Sequence, residues 1–202
     1  MRIGYFGGTF DPPHLAHFRI AQRVLELNLV DKVLFAPAFA PPHKNNERLS
    51  TFADRCEMVR LMCEGCKRMA LSTVEAELHF YPSYTIRVLD ALKKRYPADE
   101  LTLLIGGDSL RTLHLWFEHN RLVDNYRILS YPRPGEAVDL KYLQRFWSPE
   151  RAQKLLQTLF PADCFEISSS DLREDLRRHA EVHGLLSEKI INYIKQHQLY
   201  LV

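Results

Sequence analysis

Ile3-Gly4-Tyr5-Phe6-Gly7-Gly8-Thr9-Phe10-Asp11-Pro12-Pro13-His14-Leu15-Ala16-His17 opens with a short apolar run, breaks at paired glycines and paired prolines, and resumes with helical spacing. Ile3 to Phe6 is predicted to be a short buried strand. Pro13 to about Leu27 is predicted to be a helix, because Leu15, Phe18, Ala21 and Leu25 fall on one stripe. The same alternation continues along the chain. Lys32 to Ala36 reads as a strand, followed by a proline-rich loop to Ser50, and Thr51 with Asp54 forms a capping-box-like entry to a helix ending near Glu64. Met69 to Val74 reads as a strand, and Ser83 as the cap of a helix carrying Val88, Leu92 and Tyr96. Leu101 to Ile105 is a continuous apolar strand ended by Gly106-Gly107, and Arg127 to Tyr131 is another, stopped by Pro132-Arg133-Pro134-Gly135. Ser148-Pro149-Glu150 starts a helix. Cys164 to Ile167 is predicted as a last strand before a helix opened by Ser168-Ser169-Ser170, and Leu186, Ile190 and Ile194 mark a final helix. Strands that are apolar throughout and alternate with helices predict an α/β fold, a mainly parallel sheet covered on both faces. No linker or repeat divides residues 1–202, so a single domain is expected.

Composition narrows the class. The 202 residues are 46% hydrophobic and 26% charged, an ordinary globular balance. A net charge of +2, from 27 basic and 25 acidic residues, builds no global field for nucleic acid or an anionic membrane. No apolar run approaches the ~20 residues of a membrane-spanning helix, and no signal-peptide-like stretch precedes the first strand, which points to the cytoplasm. Cys63-Glu64-Gly65-Cys66 lacks the second ligand pair of a zinc site, so the cysteines are expected to be buried, reduced thiols.

In a parallel α/β sheet ligands bind beyond the carboxyl ends of the strands, and the unusual residues gather in those loops. Gly7 and Gly8 allow close approach of backbone to a ligand, and the next helix offers unpaired N–H groups. Two glycines alone would be only a turn. Thr9 and the co-facial His14 and His17 at the same helix mouth turn the reading toward a phosphate cradle. His43 and Lys44 could meet a polyphosphate tail, but on their own they read as a solvated basic loop tip. Asp108, after Gly107, suits a pair of ribose hydroxyls as well as a helix cap. Trp116 and Phe117 could pack in the core or form a platform for a heterocyclic ring. Ser168, Ser169 and Ser170 exceed what capping needs, and with Arg173 one turn on they suggest a second anion cradle.

With these residues in view, the chain resembles the bacterial nicotinate-mononucleotide adenylyltransferases, nucleotidyltransferases of the α/β phosphodiesterase superfamily. The resemblance rests on Gly7-Gly8-Thr9-Phe10-Asp11-Pro12 with His14 and His17, Pro41-Pro42-His43-Lys44, Pro82-Ser83-Tyr84-Thr85, Gly107-Asp108, Trp116-Phe117, Arg133-Pro134-Gly135 and Ile167-Ser168-Ser169-Ser170. It implies a Rossmann-like fold in which a helical segment from about 168 to 202 completes the phosphate site. The implied activity is adenylyl transfer from ATP, with Mg²⁺, to nicotinate mononucleotide, by in-line attack without a covalent intermediate. His14, His17 and Lys44 are then the implied catalytic residues. Gly7, Gly8, Thr9, Phe10, His43, Arg133, Ser168, Ser169, Ser170 and Arg173 are implied on ATP, and Tyr84, Thr85, Gly107, Asp108, Trp116 and Phe117 on nicotinate mononucleotide. No protein metal ligand, nucleic acid or membrane partner is implied, and a homo-oligomer stays open. Ala16 stands where the superfamily usually has glycine, and Ser170 where threonine is commoner. Competing readings are an enzyme of the same fold acting on nicotinamide mononucleotide or phosphopantetheine, and a catalytically silent nucleotide-binding regulator.

Overall fold

The computed structural model describes residues 1–40, 49–79, 81–135, 137–163 and 165–200. In chain order these form β1 (Arg2–Gly8), α1 (Leu15–Glu26), β2 (Lys32–Pro37), α2 (Phe52–Cys63), β3 (Met69–Leu71), α3 (Val74–Glu77), α4 (Thr85–Arg95), β4 (Glu100–Gly106), α5 (Gly107–Thr112), α6 (His119–Asn125), β5 (Arg127–Tyr131), α7 (Leu140–Leu143), α8 (Pro149–Leu156), α9 (Ser169–Arg177) and α10 (Glu188–Gln196). The five strands make one sheet in the order β3-β2-β1-β4-β5, every pair parallel. The chain leaves β1 toward β2 and β3, then crosses to β4 and β5 on the other side, so the topological switch falls between β1 and β4.

Period-two alternation divides the strand residues between two apolar layers. Phe6, Val33, Phe35, Leu104 and Leu129 pack on one face with α1, α2 and α10. Ile3, Tyr5, Leu34, Leu103, Ile105 and Ile128 pack on the other with α4, α5, α6 and α8. Phe6 and Phe35 stack with centroids 5.3 Å apart, a pair that adds roughly 0.5–1.5 kcal/mol beyond its buried area. Helix starts follow local chemistry. The side chains of Thr51, Ser148, Ser168 and Ser187 each accept the backbone N–H three residues on. No described helix is long and apolar enough to cross a membrane.

Four expectations need correction. The strand at 69 ends at Leu71 because β3 pairs only with Val33–Phe35 of β2; Val74 instead starts the short α3, buried. Ser83 does not cap α4. Tyr84 holds that position, while the Ser83 hydroxyl accepts the Ala40 N–H at 3.0 Å. Residues 165–167 form no strand, and Cys164 lies outside the described residues. The place beside β5 is taken by Thr158–Phe160, which exchanges backbone hydrogen bonds with Ser130. Cys56 and Cys63 are buried free thiols, pushed up by burial to about 11 and about 12, but Cys66 is only half-buried.

Candidate active site

A cavity of about 290 Å³ opens at the carboxyl ends of β1, β4 and β5, at the topological switch. One wall is Phe6, Gly7, Gly8, Thr9, Phe10, His14 and His17. The rest of the lining is Leu104, Ile105, Gly106, Asp108, Ser109 and Trp116, with Tyr131 and Arg133 from the end of β5 and Ser168, Ser169 and Ser170 from the start of α9. Twelve of the residues singled out from sequence therefore meet in one place: Gly7, Gly8, Thr9, Phe10, His14, His17, Asp108, Trp116, Arg133, Ser168, Ser169 and Ser170.

Backbone geometry explains the glycines here. A Cβ on Gly7 would lie 2.6 Å from the Tyr5 hydroxyl oxygen, and a Cβ on Gly106 would overlap the Asp108 carboxylate. Glycine at these positions lets strand ends and ligand-facing side chains crowd together.

His14 is the N-cap of α1 and His17 its third residue, so the two rings sit one above the other, centroids 3.8 Å apart. The His14 backbone N–H donates to His17 Nδ1 at 3.2 Å, which leaves Nε2 as the protonated nitrogen of a neutral His17. Phe10 and Phe6 meet the His17 ring edge-on, at 5.0 and 5.9 Å between centroids, and fix its orientation. His14 is buried, its Nδ1 has no hydrogen-bond partner, and burial together with the Arg133 cation lowers it from the ordinary 6.5 to about 4. It is therefore neutral at pH 7. Arg133 Nε lies 3.6 Å from Asp108 Oδ1, and its guanidinium lies over the Tyr131 ring at 5.9 Å. Burial raises the Tyr131 hydroxyl to about 12. The first turns of α1 and α9 both open on the cavity, so their partial positive charge converges with Arg133 on it.

Other predicted residues lie behind or beside this cavity. Gly107 is buried in the first turn of α5. Arg173 is engaged by the protein: Nη1 donates to the Asp11 carbonyl at 2.7 Å and the Ser169 carbonyl at 3.2 Å, and Nη2 to Ser170 Oγ at 3.2 Å. Each serine of the rim also has a protein partner, Ser168 as cap and Ser169 donating to the Pro12 carbonyl at 3.0 Å. Phe117 follows Trp116 and stacks on Tyr84 at 4.3 Å, with the Arg87 guanidinium 5.3 and 5.4 Å from the two ring centroids. Thr85 begins α4 beside them. His43 and Lys44 lie outside the described residues.

The sequence marks the Gly106-Gly107-Asp108-Ser109 loop but gives Gly106 and Ser109 no role of their own, and it does not mark Tyr131, although all sit at or just beyond carboxyl ends of strands. Nor does it mark Arg55 and Glu75, both buried. Arg55 donates to the carbonyls of Thr9 and Ala38 at 2.9 Å and of Ser50 at 3.3 Å. Glu75 accepts the Phe39 N–H at 2.9 Å and the Tyr5 hydroxyl at 3.3 Å, and burial raises its pKa. Among the described residues, no three His, Cys, Asp or Glu side chains are grouped to hold a metal ion.

An all-parallel sheet with a cavity at its switch point, lined by a histidine pair and a serine-rich helix mouth, defines a nucleotide-binding α/β protein. The cytidylyltransferase-like family profile matches residues 5–175. The probable nicotinate-nucleotide adenylyltransferase of Shewanella frigidimarina is 34% identical, covering 99% of this chain and 100% of its own. The nicotinate-nucleotide adenylyltransferase of Bacillus subtilis is also 34% identical, covering 98% of both chains. In fold the chain matches the Plasmodium falciparum nicotinic acid mononucleotide adenylyltransferase complexed with NaAD, with a TM-score of 0.78, 19% identity, and 98% and 97% of the two chains covered. The chain belongs to the cytidylyltransferase-like family and, within it, to the nicotinate-nucleotide adenylyltransferases.

Proposed function

We propose that the protein joins nicotinate mononucleotide to the adenylyl group of ATP, forming deamido-NAD and releasing pyrophosphate. The observation that carries this reading is one cavity lined together by the close-packed His14 and His17, by Ser168–Ser170, and by Asp108 and Trp116. The histidines and serines suit a polyphosphate, Asp108 and Trp116 a ribose and a flat ring. Relatives of full-length coverage that bear the name of this activity support the choice of substrates.

In this reading the phosphate oxygen of nicotinate mononucleotide attacks the α-phosphorus of ATP in line, and the bond to the departing pyrophosphate breaks as the new one forms. No protein nucleophile takes part. The protein contributes position and charge stabilisation. His17, with Nε2–H as donor, and neutral His14 hydrogen-bond the α- and β-phosphates, aided by Thr9 and the N–H groups opening α1. Ser168, Ser169 and Ser170 meet the distal phosphates, Arg173 supporting that rim and Lys44 and His43 taking the pyrophosphate. Arg133 flanks the adenine. Trp116 stacks on the pyridine ring, Asp108 accepts ribose hydroxyls, and Tyr84, Thr85 and backbone near Phe117 face the nicotinate carboxylate. Asp108 is the one carboxylate among the described cavity-lining residues, so Mg²⁺ fits as an ion carried by the triphosphate and water, where it supplies neutralisation of phosphate charge. An enzyme that consumes ATP in this way would work in the cytoplasm.

The test incubates the protein with ATP, Mg²⁺ and either nicotinate or nicotinamide mononucleotide, and quantifies dinucleotide by chromatography. Strong preference for the nicotinate substrate is expected. Preference for the amide would overturn the acceptor assignment, and formation of neither would overturn the reaction.

A further inference from the structure

Asp11 lies in the middle of the turn that bears the cavity-lining Thr9, Phe10, His14 and His17, yet it does not line the cavity itself and is wholly buried. A buried carboxylate needs donors. One donor is the Ser50 backbone N–H, 3.4 Å from Oδ2, and the other comes from 189 residues away: the Tyr200 hydroxyl donates to Oδ1 at 2.5 Å. Three carbonyls of the turn are also held from outside it. Arg55 takes the Thr9 carbonyl, Arg173 the Asp11 carbonyl and Ser169 the Pro12 carbonyl. Phe10 sits between them at φ +52°, a left-handed conformation that a bulky residue keeps only where its surroundings enforce it.

We infer that Tyr200, acting through Asp11, is a positioning residue that sets the aim of the phosphate-facing turn; the inference rests on the adenylyl-transfer reading above. Tyr200 packs against the core cluster, and its hydroxyl, 4.0 Å from Met58 Sδ, has the Asp11 carboxylate as its much shorter contact. Burial and the Asp11 carboxylate push the hydroxyl well above the ordinary tyrosine range, which keeps it a donor at any working pH. Arg55 and Arg173 are the neighbouring cations, and Glu75 is the next buried carboxylate. Without the hydroxyl, Asp11 keeps, among the described donors, the long bond to Ser50, and the turn loses the contact that resists its rotation. His14 and His17 then meet the triphosphate out of register.

The experiment compares steady-state kinetics of the wild type, Tyr200→Phe, Asp11→Ala and the double variant, each checked by circular dichroism. Tyr200→Phe should lower kcat/KM for ATP at least tenfold, through turnover and KM for ATP, while KM for nicotinate mononucleotide stays within twofold. The double variant should be no worse than Asp11→Ala alone, because both changes break the same bond. A kcat/KM for ATP within twofold of wild type, an equal rise in both KM values, or losses that multiply in the double variant would each overturn the inference. If Tyr200→Phe is unfolded at the assay temperature, the comparison is made where it is folded, and Asp11→Ala removes the same bond from the other side. A wild type that makes no dinucleotide would refute the proposed reaction only. The positioning role is then read from ATP binding by calorimetry, where at least fivefold weakening in Tyr200→Phe supports it and unchanged affinity refutes it.

Discussion

Lowering the pH from 7 to 5 should destabilise the native protein by about 2 kcal/mol through His14 alone. The imidazole is 3% exposed, caps α1 and lies against His17, with the Arg133 cation near enough to disfavour its protonation. Burial first and Arg133 second bring its pKa from 6.5 to about 4. In the unfolded chain the same group takes up a proton as pH falls through 6.5, whereas in the folded protein it waits until about 4. Between those values the unfolded state binds more protons, so stability rises with pH across the window. At ~1.4 kcal/mol per pKa unit the whole difference comes to about 3 kcal/mol, of which about 2 is lost by pH 5. Other groups titrate in the same range, so the assay is a comparison. Urea unfolding of wild type and His14→Asn is followed at pH 7, 6 and 5, asparagine being a good N-cap without a titrating ring. The wild-type stability should fall by about 2 kcal/mol more than that of the variant over this range. Parallel pH curves would refute the reasoning, since they would mean that His14 is as well solvated in the folded protein as in the unfolded chain. A triphosphate seated against His14 would favour the protonated ring, so ATP binding near pH 6 should take up protons, measurable by calorimetry in two buffers of different ionisation heat.

Three further outcomes follow from the cavity. His17→Ala should lower turnover at least a hundredfold in a protein that remains folded, because a single donor aimed at developing charge contributes ~2.7–4 kcal/mol; a near-wild-type rate would remove His17 from the phosphates. Trp116→Ala should raise KM for nicotinate mononucleotide roughly tenfold and leave KM for ATP unchanged, as a stacked base is worth ~1–3 kcal/mol, and an effect on ATP alone would reverse that assignment. Gly106→Ala places a Cβ where the Asp108 carboxylate lies, so its kinetic defect should match that of Asp108→Ala; a silent Gly106→Ala with a defective Asp108→Ala would show that the carboxylate can move without loss.

The sequence carried the sheet because the strand signal is local. Leu101 to Ile105 has no polar break except Thr102, and Arg127 to Tyr131 is bounded by proline and glycine, so each could be read from its own residues. Those readings failed where a tertiary partner decides. Met69 to Val74 looks like one strand, but β2 offers pairing only as far as Leu71. Cys164 to Ile167 reads as a last strand, yet residues 165–167 form none and Leu159 bridges to Ser130 in that place. Ser83 has the chemistry of a cap and is spent instead on Ala40, 43 positions away. The site was legible for a similar reason. His14 and His17 follow the junction of β1 and α1, where ligand-facing residues gather, whereas Ser168–Ser170 open α9 after residues that form no strand and are marked only by their run of hydroxyls.

What no local pattern could reveal is the layer beneath the cavity. Arg55 stands in α2 as an ordinary-looking charge on a helix, and only the fold shows its guanidinium buried among the carbonyls of Thr9, Ala38 and Ser50. These partners all precede α2 in sequence, in the segments that follow β1 and β2. Arg173 is the converse case. Its position one turn into α9 suggests direct contact with an anion, but here its donors are occupied by Asp11, Ser169 and Ser170. A charged side chain at a helix mouth can therefore serve the ligand at one remove, by holding the backbone that does the binding. The two roles differ in what a conservative change does. A guanidinium that only neutralises phosphate can be replaced by lysine at modest loss, whereas one that ties two carbonyls and a hydroxyl needs the planar fork. Arg173→Lys should accordingly be nearly as damaging as Arg173→Ala in ATP kinetics; rescue by lysine would assign Arg173 to the phosphates directly.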